Sequence, residues 1–366
     1  MDLRRTDGRD RRDPSLVFSD FYHFLMPSAP IFDRRNVLVT GGAGFIGSFL
    51  CERLLRDSKV ICLDNFSTSQ QSNISHLLKN PDFEFIRADV NAPVDLAAYP
   101  ELERFKVRLQ GVQEVYHLAC PTSPKNFDRF RKDTLRSNSI GMSNMLELAV
   151  GYGAKFFQAS SSVVYGLRPE DGHPFREDEY GSFDHLTPRG CYDEGKRFAE
   201  TSCATYHDVH GLDVRIGRIF RTYGPRQPLS DGHMIPDFVL DAIDGRDLVI
   251  YGDDSFRSSL IYVSDVVDGI MRLMSLPEDP GPLNIGSDYD IKLSDVAAKI
   301  MEMTGSQSNV VYRERLPFMR ELGLPDLTKI KERTGWIPLV SLEQGLKKTV
   351  EYTVAYKDIL RPPFAL

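Results

Sequence analysis

Tyr192 and Lys196 stand one helical turn apart in YDEGK, so a helix carries both side chains on one face. An ammonium beside a phenol lowers the phenol pKa, which suits the phenolate to take the proton of a hydroxyl. The chemistry open to such a pair is alcohol oxidation: the proton goes to the tyrosine and hydride leaves for an acceptor. Upstream, Ser160, Ser161 and Ser162 close a run of strand-forming residues, where a hydroxyl can hold the substrate oxygen. Tyr192, Lys196, Ser161 and Ser162 are therefore the expected catalytic residues.

The stretch VLVTGGAGFIGSFL points to the hydride acceptor. Its glycines, Gly41, Gly44 and Gly47, follow a strand pattern and open a helical one. That arrangement lets backbone approach a dinucleotide pyrophosphate at a helix N-terminus, with Phe45 and Ile46 in the same loop. Asp64 ends the next strand pattern, VICLD, and Asn65 follows it. A carboxylate there accepts hydrogen bonds from the adenosine ribose and repels a 2′-phosphate, so NAD rather than NADP is expected. Asp89 and Val90, which end FEFIRADV, are candidates for the adenine edge. Leu118 and Ala119, after EVYH, complete the expected cofactor contacts together with Tyr192 and Lys196.

Positioning these groups requires alternating elements, and the chain has them. VLVT, KVICLDN, FEFIRADV, EVYHLAC, KFFQASSS and DVRIGRIF read as strands. Helical patterns fall between them, at FLCERLLRD, Leu135 to Val150 and Glu194 to His210. The expectation is an α/β fold with a doubly wound parallel sheet of Rossmann type and a smaller C-terminal substrate-binding lobe. The expected divisions are a tail over 1–35, a cofactor domain over 36–224 to which 258–276 returns, and a substrate lobe from 225–257 and 277–366. In that lobe, helices are expected at Ile235 to Ile243, 293–305 and 342–355, with Ser294 and Ser341 as N-caps of the last two, and a helix at Val263 to Met274 falls in the segment that returns to the cofactor domain.

Composition narrows the partners. With 41% hydrophobic and 27% charged residues the chain belongs among folded globular proteins, and a net charge of -7 argues against nucleic acid. Five cysteines without a CxxC pair fit a reducing cytoplasm. The N-terminal stretch, broken by Asp20 and Pro27, has neither a signal-peptide core nor a membrane span. It reads as a frayed tail, or as a segment docking on a partner through Phe18, Phe21, Tyr22 and Phe24. His207 and His210 lack a third ligand, so no metal is expected. His117 reads as a satisfied core residue and Cys120 as packing.

The segments TGGAGFIGSFL, HLACPTSP at 117–124, PRGCYDEGKRFAE at 188–200, RIFRTYGPR at 218–226 and GWIP at 335–338 resemble a known family. It is the extended short-chain dehydrogenase/reductase family of NAD-dependent epimerases and dehydratases, and the resemblance spans nearly all of 36–355. The ACPxSP loop and the CYDEGKR box are most similar to its UDP-glucuronate decarboxylases. The resemblance implies a bound NAD that is reduced and reoxidised within one cycle on a UDP-sugar. It implies that Tyr192 deprotonates the 4-hydroxyl, that Lys196 tunes Tyr192 and holds the nicotinamide ribose, and that Ser161 and Ser162 bind the 4-oxygen. A ketone β to the carboxylate then lets carbon dioxide leave through an enolate. Pro121, Thr122 and Ser123 would face the sugar, with Arg221, Arg226 and Arg257 on the substrate's anionic groups. A homodimer through the Tyr192 helix and the Leu135 to Val150 segment is implied as well.

The pattern is not followed throughout. Val163 stands where relatives carry a Glu before VYG, and Arg221 stands where they carry Asn. Arg257 is shifted by one position in FRSSLIYV, and the Arg expected just before Pro325 and Asp326 is missing, Arg320 being nearest. A 4-epimerase needs no such Glu and is the alternative reading. A non-catalytic NAD-binding regulatory protein is a third.

Overall fold

Short runs rich in β-branched and aromatic residues, buried on both faces, assemble here into one parallel sheet. The computed structural model describes residues 34–122, 126–229, 231–315, 321 and 323–360. The expectations for the N-terminal tail, Ser123 and Arg320 lie outside the described residues. The sheet contains β1 (Arg35–Thr40), β2 (Ser58–Asp64), β3 (Phe83–Arg87), β4 (Glu114–His117), β5 (Lys155–Ser161) and β6 (Val214–Ile219). Four short strands follow, β7 (Thr222–Tyr223), β8 (Leu248–Tyr251), β9 (Arg257–Ser259) and β10 (Ile261–Tyr262), and then β11 (Leu283–Ile285) joins the sheet at its edge. The order is β3-β2-β1-β4-β5-β6-β11, with every pairing parallel. Strand order reverses between β1 and β4, and a crevice opens at the carboxyl ends of such a pair.

Alternation along β1 divides the core. Val37 and Val39 join one buried cluster with Leu50, Leu54 and Ile270, while Leu38 joins the opposite one with Ile61, Val115, Met145 and Phe156. A third cluster gathers the helices Met234–Ile243, Leu293–Thr304 and Leu342–Leu360 around β8, with Phe238, Ile250, Val296 and Leu346 at its centre. There β8 pairs in parallel with β13 (Val310–Arg313), and β9 pairs antiparallel with β12 (Asp290–Lys292). The only tryptophan, Trp336, is fully buried, and its indole N–H donates to the Asp265 carbonyl at 3.1 Å. The Asp265 carboxylate in turn accepts the backbone N–H groups of Leu339 and Val340, pinning the C-terminal segment to the helix Val263–Ser275.

Three local expectations need correction. The segment Leu135 to Val150 is not one helix: Asn126–Ser137 ends, Asn138 and Ser139 intervene, and Ile140–Tyr152 begins. Polar side chains in the SNS stretch compete for the backbone there, as Asn138 and Ser139 both bond carbonyls of the preceding turn. Ser294 does not cap its helix, because that role falls to Lys292 and Ser294 lies inside the first turn. The helix carrying Tyr192 and Lys196 begins at Gly190 rather than Glu194. Ser341 does cap, in a reciprocal pair in which Gln344 N donates to Ser341 Oγ and Ser341 N to Gln344 Oε1.

Candidate active site

At the crevice between β1 and β4 the backbone itself forms the surface. Gly41 has φ of 69°, and a Cβ on Gly47 would stand 2.1 Å from the Gly41 carbonyl oxygen. The loop is thus folded against the first turn of helix Phe45–Leu54 so tightly that only hydrogen fits, which leaves that helix N-terminus open to an anionic group. Asp64, at the end of β2, is almost fully buried. Its carboxylate accepts Ala43 N at 3.0 Å, Phe66 N at 2.9 Å and the Ser69 hydroxyl at 2.7 Å. Burial raises its pKa, and these hydrogen bonds resist the rise.

Across the crevice, helix Gly190–His210 carries Tyr192 and Lys196 on its buried face. Lys196 Nζ donates to the Ala159 carbonyl at 2.9 Å and lies 5.8 Å from the centre of the Tyr192 ring. Ser161 hydrogen-bonds the Tyr192 phenol, and Ser162 opens a short 3-10 turn over Ser162–Tyr165. The expectation of a lowered phenol pKa needs revision. Burial, and then Cys120, hold Tyr192 well above the usual range, with Ser161 and Arg189 opposing. Arg189 lies 5.9 Å from the ring centre and is itself bound by Asp193 through 2.9 and 3.2 Å contacts.

Behind this surface stands a clamp that the sequence did not suggest. Glu200, two turns beyond Tyr192, accepts the Ser160 hydroxyl from β5 and the Arg218 guanidinium from β6 at 3.0 and 2.8 Å. The helix that carries Tyr192 and the serine strand are thereby held in one register. His117 accounts for itself as expected: it is buried on β4, hydrogen-bonded to Thr40 Oγ1 at 2.7 Å. Burial, then the Lys196 charge, lower its pKa to about 3. His207 donates to the Leu212 carbonyl at the end of its helix. Among the described residues no cluster of His, Cys, Asp and Glu is arranged to hold a metal.

These groups line one cavity of about 440 Å³. It brings together Gly41, Gly44, Phe45, Ile46, Gly47, Asp64, Asn65, Asp89, Val90, Leu118 and Ala119 with Pro121, Thr122, Ser161, Ser162, Tyr192, Lys196 and Arg221. Arg226 and Arg257 are not in the lining. Arg226 reaches Glu52 at 2.9 Å and lies over the Phe49 ring, while Arg257 binds Asp290, which Arg168 also holds. Cys120, read from the sequence as packing, is also in the lining, and residues that sequence reasoning passed over include Ser69, Arg189, Gln227, Asp231 and His233. Arg189 sits inside the PRGCYDEGKR box, so its nearness to Tyr192 was within reach of a helical-turn argument.

The sequence profile of the NAD dependent epimerase/dehydratase family matches residues 37–286. The chain belongs to that family. It is 41% identical over 345 residues to UDP-glucuronic acid decarboxylase 2 of Arabidopsis thaliana, covering 93% of this chain and 74% of the relative. It is 39% identical over 321 residues to UDP-glucuronic acid decarboxylase 1 of Danio rerio, covering 87% and 73%. Among solved structures it is similar to UDP-glucuronic acid 4-epimerase from Bacillus cereus in complex with UDP-glucuronic acid and NAD. The TM-score is 0.75, with 26% identity and coverage of 87% of this chain and 99% of that one.

Membership makes the chain an NAD-dependent enzyme, and its residues fit that cofactor. Gly41, Gly44 and Gly47 line the cavity at the N-terminus of helix Phe45–Leu54, where backbone N–H groups suit a pyrophosphate, and Asp64 lines it at the end of β2, where a carboxylate suits ribose hydroxyls. Ser67, Thr68 and Ser69 extend the polar rim beside it. Among the described residues no helix is long and apolar enough to cross a membrane.

Proposed function

We propose that this family member converts UDP-glucuronate to UDP-xylose by decarboxylation through a 4-keto sugar. The observation that carries the proposal is the single cavity. It joins the glycine loop and Asp64 to Ser161, Ser162, Tyr192 and Lys196 in a chain that is about 40% identical to decarboxylases over most of its length. NAD, when bound along Gly41, Gly44, Gly47 and Asp64, supplies a reversible hydride sink. Tyr192 takes the proton of the C4 hydroxyl, and Ser161, hydrogen-bonded to the phenol, holds the oxygen that becomes the ketone. Arg189 and Lys196 offset the cost of a buried phenolate. With C4 oxidised, the carboxylate is β to a carbonyl that accepts its electron pair as carbon dioxide departs. Solvent protonates C5, and Tyr192 returns its proton to the C4 oxygen, which leaves the pentose.

One observation favours a 4-epimerase as the second reading. Val163 is buried against Tyr192, so the wall holds an apolar group where the decarboxylase pattern calls for a carboxylate. The test is to incubate the protein with UDP-glucuronate and follow the products by NMR. UDP-xylose is the expected product; UDP-galacturonate shifts the assignment to the epimerase, and no turnover rejects both. We further place Gln227, Pro228, Asp231 and His233, from the proposed substrate lobe, on the sugar side of the cavity. We also propose a cytoplasmic homodimer. Its support is five free thiols and the exposed Leu135, Ile140, Phe198 and Val209 on or beside the helices named for pairing.

A further inference from the structure

Tyr192, Lys196 and Glu200 recur every four residues along helix Gly190–His210, and they meet three consecutive residues of β5. Lys196 donates to the Ala159 carbonyl, Glu200 accepts the Ser160 hydroxyl, and Ser161 is hydrogen-bonded to the Tyr192 phenol. The outer two contacts belong to groups of the proposed chemistry. The middle one belongs to Glu200, which is not in the cavity lining.

Glu200 holds more than one strand. Ser160 and Arg218 are register partners on β5 and β6, so parallel pairing sets them side by side on the sheet. Arg218 Nε and Nη2 donate to the two carboxylate oxygens at 3.0 and 2.8 Å, a fork that fixes angle as well as distance. The two side chains are only 10% and 14% exposed. Desolvation offsets much of the attraction in such a pair, so its main contribution here is geometry. The remaining Arg218 nitrogen, Nη1, donates to the Tyr165 hydroxyl at 2.9 Å and to the Glu177 carbonyl at 3.0 Å. Tyr165 closes the 3-10 turn that begins at Ser162, and its hydroxyl donates to Asn284 Oδ1 on β11 at 2.7 Å. One carboxylate thus ties the Tyr192 helix to both strands and, through Arg218, to the turn that carries Ser162.

We infer that Glu200 is a positioning residue for the proton transfer, setting the register between its helix and β5 in which Ser161 meets the Tyr192 phenol. The inference rests on the proposed role of Tyr192 as base, which the decarboxylase and the epimerase share. Burial, Cys120 and Asp193 raise the phenol pKa, Ser161 and Arg189 lower it, and Lys196 lies 5.8 Å from the ring centre. A helix that slips against β5 weakens the Ser161 contact and raises the phenol pKa. Loss of the Glu200 charge by itself acts the other way, because a negative charge removed favours the phenolate. The sign of the shift therefore separates positioning from electrostatics.

The test is steady-state turnover of UDP-glucuronate across pH by the NAD-loaded wild type, Glu200→Ala, Glu200→Gln and Ser160→Ala. Glu200→Ala should lower kcat about ten- to hundredfold, the cost of a misplaced reacting pair, with KM nearly unchanged. Its rising limb of kcat/KM should move to higher pH. Glu200→Gln keeps the length and one acceptor and should recover part of the rate. The inference is overturned if Glu200→Ala, with wild-type NAD affinity, keeps kcat within about twofold of wild type or if its limb stays in place or moves down.

Should both Glu200 variants misfold because Arg218 loses its partner, Ser160→Ala decides alone, since it leaves the ion pair intact. A limb moved up supports the inference; no change, or a loss in KM alone, overturns it. A wild type that makes UDP-galacturonate changes the proposed product and leaves Glu200 tested by the same limb. A wild type that turns over no UDP-glucuronate defeats both.

Discussion

The two walls of the cavity are built on opposite principles. On the cofactor wall, the groups are settled before any ligand arrives. The glycine loop is packed to the limit of contact, Asp64 has three donors, and Lys196 rests on a backbone carbonyl. On the wall proposed for the substrate, Val163, Arg221 and Gln227 present an apolar face and two buried polar atoms with no hydrogen-bond partner among the described residues. Preorganisation suits a cofactor that is reused at every turnover, because its binding geometry never changes. Unsatisfied groups suit a wall whose partners arrive with the substrate.

The largest expected effect tests whether the settled wall does the chemistry. Tyr192→Phe should lower kcat on the order of a thousandfold while leaving NAD affinity unchanged, since only the proton acceptor is lost. Residual activity near wild type would move the base elsewhere. Next, Gly47→Ala forces a methyl to within 2.1 Å of the Gly41 carbonyl, where backbone must move. It should weaken NAD at least tenfold and cost about 1–3 kcal/mol of stability, read by NAD titration and thermal melting. Unchanged NAD affinity would show that the loop tolerates what its geometry forbids.

The smallest effect is a shift in pH dependence. Tyr192 must lose its proton to act, and Arg189 is one of the groups that hold its pKa down against burial. Arg189→Met removes that charge, while Asp193, which raises the phenol pKa, remains in place. The rising limb of kcat/KM against pH should therefore move up by about one unit, with Arg189→Lys close to wild type. A limb that stays in place would separate Arg189 from the proton transfer.

What was legible in the sequence follows the same division. The parallel sheet, the glycine loop, Asp64 and the Tyr192/Lys196 pair are written in local spacing, because strand alternation and the helical turn are short-range properties. The substrate wall is not. Gln227, Asp231 and His233 come from an irregular stretch rich in proline and glycine, and no periodicity announces which of its side chains turn inward. Glu200 escaped notice for a related reason: its partners, Ser160 and Arg218, are brought to it only by the pairing of β5 with β6. Arg226 and Arg257, which motif positions put forward for the substrate, pair with Glu52 and Asp290 outside the cavity lining.

The lone tryptophan gives the chain a built-in optical gauge. Trp336 is sealed in the core between the C-terminal segment and the helix Val263–Ser275, with its N–H on the Asp265 carbonyl. All indole emission thus comes from one dry seam away from the cavity lining. A red shift on denaturation dates the parting of that seam alone, and comparing it with far-ultraviolet circular dichroism reveals whether sheet and C-terminal segment come apart in one step or two.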